Sequence, residues 1–210
     1  MYTVREIFYT LQGEGARTGR PAVFCRFSGC NLWTGREADR VNAVCKFCDT
    51  EFVGVGPDGG KFSTARELAA AVKSAWPSSN GHGKPYVVCT GGEPLLQLDR
   101  EAIDAFHEAG FEVAVESNGT CLPPEGIDWT TVSPKADANT ILTRGDELKL
   151  VYPQEGAPPE RFADWDFGAF YLQPMYGPEL EANTREALEY CLTHPQWRLS
   201  LQTHKMLGIR

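Results

Sequence analysis

Short apolar runs, mostly β-branched or aromatic, alternate along this chain with longer amphipathic stretches. Residues 22–27, 86–89, 111–116, 130–133, 147–151, 170–172 and 197–201 have the length and composition of strands. Several end in turn chemistry: Thr-Gly-Gly from Thr90, Ser-Asn-Gly from Ser117, Gln-Pro at Gln173. Three helices are predicted between them. The first covers 64–76, with Ser63 or Thr64 as cap and Glu67 placed to close a capping box. The second runs from Leu98 or Asp99 to Ala109 and stops at Gly110. The third covers 178–192 and is ended by Thr193, His194 and Pro195.

Strands alternating with helices predict parallel pairing through right-handed crossovers. Three long helices are too few for a closed eightfold barrel. The expected fold is therefore α/β, a partial, open parallel (β/α) barrel of about six strands with three major helices, in one domain spanning 1–210. Ligands of such sheets gather at the carboxyl ends of strands, which is where the polar motifs fall. Residues 57–60 and 78–84 read as surface loops.

A chain of 210 residues with 42% apolar content and five tryptophans can bury an ordinary core. The net charge of −8 argues against a nucleic-acid surface, which needs a basic patch. No apolar run reaches the ~18 residues of a membrane span. The segment from Met1 to Glu6 lacks the basic and apolar regions of a signal peptide. These features predict a cytoplasmic protein that binds neither nucleic acid nor membrane.

Seven cysteines in a chain of this size predict ligands, nucleophiles or buried fillers rather than disulfide staples. Cys25, Cys89, Cys121 and Cys191 are isolated and read as small buried hydrophobes. Cys30, Cys45 and Cys48 are different, because they follow a strand within one loop. Three thiolates on a cubane leave one iron open to a ligand. Alone, the set is compatible with a cluster, with zinc, or with incidental cysteines. A structural zinc site wants a fourth thiolate or imidazole, and none of His82, His107, His194 and His204 lies in this segment.

Thr90-Gly91-Gly92-Glu93-Pro94 follows the second of these strands. Glycines there let backbone approach closely, and the acid can accept from a ligand ammonium or order the loop. Coupled to the three cysteines, this motif points to reductive cleavage of S-adenosylmethionine.

The cysteine loop and Gly-Gly-Glu turn resemble the radical S-adenosylmethionine superfamily. More narrowly, three blocks resemble the 7-carboxy-7-deazaguanine synthase family: Phe8-Tyr-Thr-Leu-Gln-Gly-Glu-Gly15, Gly19-Arg-Pro-Ala-Val-Phe-Cys-Arg-Phe27 and Gly29-Cys-Asn-Leu-Trp33. Gln202-Thr203-His204-Lys205 fits the same family, so the resemblance spans essentially the whole chain. One departure stands out: Thr34 occupies the usual position of the second cysteine. Cys45 takes its place after an insertion at about 34–44, as in a subgroup with fourteen residues between the first two cysteines. The insertion has helix-forming composition, and reads equally as a short helix over the cluster or as a surface excursion.

The resemblance implies conversion of 6-carboxy-5,6,7,8-tetrahydropterin to 7-carboxy-7-deazaguanine and ammonia, on the way to queuosine and related deazapurines. It implies a [4Fe-4S] cluster on Cys30, Cys45 and Cys48, with S-adenosylmethionine on the open iron. Phe47 and Gln173-Pro174-Met175 would lie near the adenine, and Gly91, Gly92 and Glu93 at the methionyl end. Glu116, Ser117 and Asn118 would meet the ribose or the amino-acid group, and Ser133 and Lys135 the cofactor carboxylate.

Leu11, Gln12, Gly13 and Glu14 would receive the pterin edge, since Glu14 can accept from its N–H groups and Gln12 can both donate and accept. Arg26 suits a carboxylate or carbonyl. Thr90, His204 and the terminal carboxylate of Arg210 would complete the pocket, with Mg²⁺ bound through Thr50. A low-potential reductant such as flavodoxin or ferredoxin and a homodimer complete the expectation. The competing readings are a glycyl-radical enzyme activase and a zinc-binding interaction module; the pterin-recognition blocks speak against the first, and metal content separates the second.

Overall fold

The computed structural model describes residues 1–77 and 83–210; positions 78–82 of the expected 78–84 loop, with His82, lie outside the described residues. Nine strands form a single open sheet: β1 (Tyr2–Leu11), β2 (Pro21–Phe27), β3 (Gly60–Phe62), β4 (Tyr86–Gly91), β5 (Glu112–Ser117), β6 (Trp129–Val132), β7 (Arg144–Tyr152), β8 (Asp166–Pro174) and β9 (Trp197–Leu199). Their order is β3-β1-β2-β4-β5-β6-β7-β8-β9. All neighbours from β2 to β9 pair in parallel, and these are the seven expected strands. β1 and β3 add an antiparallel edge that the strand reading passed over. Its loop assignment at 57–60 also yields at Gly60, which pairs with Val4.

The helices α1 (Ala65–Ala75), α2 (Arg100–Glu108) and α3 (Leu180–Thr193) match the three amphipathic stretches; a short α4 (Thr203–Leu207) ends the chain. Thr64 and Glu67 form the expected reciprocal capping box. Asp99 caps α2 through Ala102 N–H at 2.9 Å, and Gly110 follows its end at φ +95°.

Alternation along the strands separates two environments. One face sends Val23, Cys25, Phe27, Val87, Cys89 and Val115 into a core under α1 and α2. Further along the sheet, Leu148, Leu150, Phe170 and Leu172 pack with Ala187 of α3. The opposite face lines the inside of the half barrel. At its lower end Ala22, Tyr86, Val88 and Ala114 cluster. Arg17 stacks 4.1 Å from the Trp129 ring and Arg20 3.8 Å from Tyr86, closing the bottom. Above them this inner face turns polar.

Candidate active site

A cavity of about 360 Å³ opens at the carboxyl ends of the strands, within the size range of small-molecule sites. One wall is the cysteine loop. Cys30, Cys45 and Cys48 all line the cavity, with Leu32 and Phe47 beside them. All seven cysteines of the chain are free. A hydrogen bond from Cys45 brings the Cys48 thiol down to about 6 while Cys45 is pushed up. Burial raises Cys30, although Leu32 N–H donates to its sulfur at 3.4 Å. Lys135 supplies positive charge to this wall: its ammonium donates to Ser133 at 2.6 and 2.9 Å and is 5.8 Å from the Phe47 ring. Burial lowers its pKa, and the nearby thiols oppose that shift.

Three thiols around one wall with a lysine behind them are a donor set that fits an anionic iron–sulfur cluster. Among the described residues, no three His, Cys, Asp or Glu side chains form a group compact enough for a single metal ion.

The insertion forms a 3-10 helix, Glu37–Asn42, none of whose residues is buried. Among its links to the cysteine loop is the Arg40 side chain. Arg40 lies 4.0 Å from the Trp33 ring and donates to the carbonyls of Lys46 at 2.9 Å and Cys48 at 3.2 Å. The excursion thus braces the Cys45–Cys48 turn from outside.

The floor is built from strand ends. Glu14, just beyond β1, is ion-paired with Lys149 of β7 and accepts from Gln202 at 2.8 Å. Gln12 and Thr90 donate to Glu116 at 3.0 and 3.1 Å. Arg26 is anchored on Glu6 at 2.8 Å. Burial alone would raise Glu14, but Lys149 and Gln202 outweigh it and hold its carboxyl down at about 2. Lys149 is raised, because Glu116, Glu14 and Glu147 overcome its desolvation.

The chain end forms the roof. Thr203 N–H and hydroxyl both reach Gly13 O at 3.0 Å, and a Cβ on Gly13 would collide with the His204 ring. Glycine is therefore what lets the tail dock there. Burial keeps His204 below its usual pKa. Arg210 bonds Glu6 at 2.6 Å and Asp58 at 2.8 Å, and its carbonyl accepts from Thr10 at 2.8 Å. Lys205 spans to Asp49 beside Cys48, at 2.5 Å.

No family model matches the chain. Relatives do: the chain is 64% identical to "7-carboxy-7-deazaguanine synthase" of Caulobacter vibrioides over 99% of each chain. It is 57% identical to the protein of that name in Burkholderia multivorans, again over 99% of each. The chain belongs to the 7-carboxy-7-deazaguanine synthase family. The crystal structure of QueE from Escherichia coli superposes with a TM-score of 0.68 at 28% identity, covering 95% of this chain and 93% of that one.

Within this synthase-family chain, the structure gathers nearly all the expected site residues around one cavity. Besides those already described, Gly91, Gly92, Ser117 and Asn118 line it, as do Gln173, Pro174 and Met175 on one side and Leu11 and Thr50 on another. Glu93 is the exception. It was expected to face the methionyl end, but it is fully buried and off the cavity wall. Its carboxylate accepts from Ser117 Oγ at 2.9 Å, Asn118 N–H at 2.7 Å and Leu95 N–H at 3.0 Å, so it orders the loop. The glycines before it also serve the protein: a Cβ on Gly91 (φ +147°) would strike Phe27, and one on Gly92 would strike Gly29 and Cys30. The two motif loops are thereby pressed together.

Sequence reasoning missed Lys149 and Glu147, and did not assign Gln202 a role. A lysine flanked by leucines in a predicted strand signals only an alternating face, not which face is wet.

Proposed function

We propose that this synthase-family chain contracts 6-carboxy-5,6,7,8-tetrahydropterin to 7-carboxy-7-deazaguanine with release of ammonia, as a radical S-adenosylmethionine lyase of queuosine biosynthesis. The observation that carries this reading is a single cavity with three thiols on one wall and paired carboxylates on the facing floor. Cys30, Cys45 and Cys48 would hold the [4Fe-4S] cluster. When bound, the reduced cluster and S-adenosylmethionine supply the one-electron chemistry that removes a hydrogen atom from the substrate.

The chain supplies orientation, charge and exclusion of water. Glu14, already ionised, accepts N–H donors of the pterin edge, with Gln12 and Glu116 beside it. Arg26 offers its guanidinium to the carboxylate. Largely neutral near neutral pH, His204 can donate or accept from the roof. Ser133 and Lys135 receive the cofactor carboxylate, while Phe47 and the Gln173-Pro174-Met175 end of β8 flank its base. Thr50 presents one oxygen for Mg²⁺, a cation that takes its remaining ligands from substrate and water.

A flavodoxin or ferredoxin as electron donor, a homodimer and a cytoplasmic setting follow from the same reading. Reconstitution with each donor, and sedimentation of the loaded protein, test the first two.

The deciding assay is anaerobic: reconstituted protein, S-adenosylmethionine, reductant, Mg²⁺ and the pterin, with the product read by mass spectrometry. The ring-contracted acid is expected. Cofactor cleavage without it rejects the substrate assignment. Chelation of Mg²⁺ is expected to slow turnover while the iron content stays constant; full activity under chelation removes Thr50 from the account.

A further inference from the structure

Lys149 sits on the inner face of β7 with 6% of its side chain exposed. Its ammonium touches the Glu14 carboxylate and stands 3.8 Å from Glu116. Glu147, two residues back on the same strand, is turned to the Ala16 N–H at 2.7 Å and also faces the ammonium. Lys135 after β6 and His204 of α4 are the other charged or titratable groups that bear on this cluster, with Lys205 and Asp49 reaching it through His204. Glu14 and Glu116 thus share one buried cation in direct ion pairs, and Glu147 adds negative charge from farther off. Two of those acids, Glu14 and Glu116, line the cavity, and Glu147 does not.

A carboxylate as deeply buried as Glu14 does not stay ionised without a counter-charge. A protonated carboxyl offers a hydrogen-bond donor, which meets an N–H of the ligand head-on. The cation therefore decides whether the floor accepts or donates.

We propose that Lys149 is a positioning residue that sets substrate selectivity: paired with Glu14 and held 3.8 Å from Glu116, it keeps Glu14 an anionic acceptor aimed into the cavity, so the floor takes a heterocycle presenting a row of N–H donors. The proposal rests on the pterin reading and deepens it. Lys149 acts through the two carboxylates rather than on the reacting atoms.

The test is equilibrium binding of 6-carboxytetrahydropterin to cluster-loaded enzyme, held anaerobic, from about pH 5.5 to 8. The readout is the ratio of K149M to wild type, in which the His204 contribution common to both cancels; in wild type Glu14 is held down at about 2 and stays ionised throughout. In K149M, burial of Glu14 is opposed only by the Gln202 hydrogen bond and His204, and its pKa rises. Affinity should then fall about tenfold to a hundredfold at the acid end and recover as pH rises. K149R keeps the charge and should stay within about threefold of wild type, and iron content and S-adenosylmethionine binding should be unchanged in both.

K149M matching wild type at every pH overturns the proposal, as does an equal, pH-independent loss in K149R and K149M, which marks simple packing. If K149M does not fold, the ratio of E14Q to wild type decides: a deficit in E14Q that is constant with pH supports the proposal, and a deficit that closes toward the acid end, as a wild-type Glu14 taking up a proton would give, overturns it. A wild type that binds S-adenosylmethionine but no pterin overturns the underlying reading and the proposal with it, a pattern distinct from a binding wild type matched by K149M.

Discussion

On the cavity floor, Glu14, Glu116 and Lys149 are bonded to one another and to Gln12, Thr90 and Gln202. The thiols facing them are held more sparsely: Cys30, Cys45 and Cys48 sit on an irregular loop, with the backbone N–H groups of Leu32 and Trp33 at Cys30, a hydrogen bond between Cys45 and Cys48, and a brace from Arg40. Strand ends give the floor its order, since each polar side chain is fixed by sheet register and a partner across the barrel. The thiol wall lacks that register, and on the proposed reading a shared cluster would tie its parts together, as structural metal sites commonly do. A preorganised floor suits recognition, and a loosely held set of soft donors suits assembly around a cluster.

Breaking the thiol wall should have the largest effect. Cys45→Ala is expected to abolish product formation, by at least about a thousandfold, with loss of iron and sulfide. Pterin affinity should change little, because the floor is built from other elements. Equal loss of both functions in a folded variant would mean that the two regions are one unit.

Glu14→Gln reverses the pattern. Product formation per substrate should fall about a hundredfold, while iron content is preserved. The same carboxylate also predicts an acid limb in the stability of the apo protein. Its folded pKa of about 2 lies below its ordinary value, so its stabilisation is complete above about pH 4.5 and is lost as pH falls toward 2. Thermal melts of wild type and E14Q should differ by that limb.

Arg40→Ala removes the brace without touching a thiol. We expect iron to be lost to a chelator several-fold faster and turnover to fall about threefold, with Arg40→Lys intermediate because lysine cannot form the planar stack and fork. Unchanged chelation kinetics would make the insertion a passive excursion. Smallest of all, Thr64→Ala at the α1 cap should cost about 1 kcal/mol of stability and leave cluster loading and product formation at wild-type levels, since α1 touches neither region.

Much of this architecture could be read from residue pattern alone, and the misses have physical causes. The seven parallel strands emerge from their short apolar runs, α1 and α2 from strong periodicity and clear caps, and α3, which has no side-chain cap, from its length and the Thr-His-Pro that ends it. β1 does not, because a register shift between Val4 and Glu6 breaks its alternation and charged Arg5 and Glu6 dilute it. Lys149 escaped for a related reason. In a sheet with one face in water, the polar residue between two leucines points outward. In this half barrel the leucines face the helices and the polar row faces the cavity. Glu93 shows the opposite limit: a motif places an acid at the site, but in the fold three donors of the protein already claim it.

The central claim is that three thiolates leave one iron of a cubane open beside a prepared pterin floor. Mössbauer spectra of the iron-57 reconstituted protein, recorded with and without S-adenosylmethionine, test it most directly. One iron in four should change its signal on adding the cofactor, and Cys30, Cys45 and Cys48 should each be required for loading. Four irons insensitive to the cofactor, or a colourless protein carrying stoichiometric zinc, would contradict it.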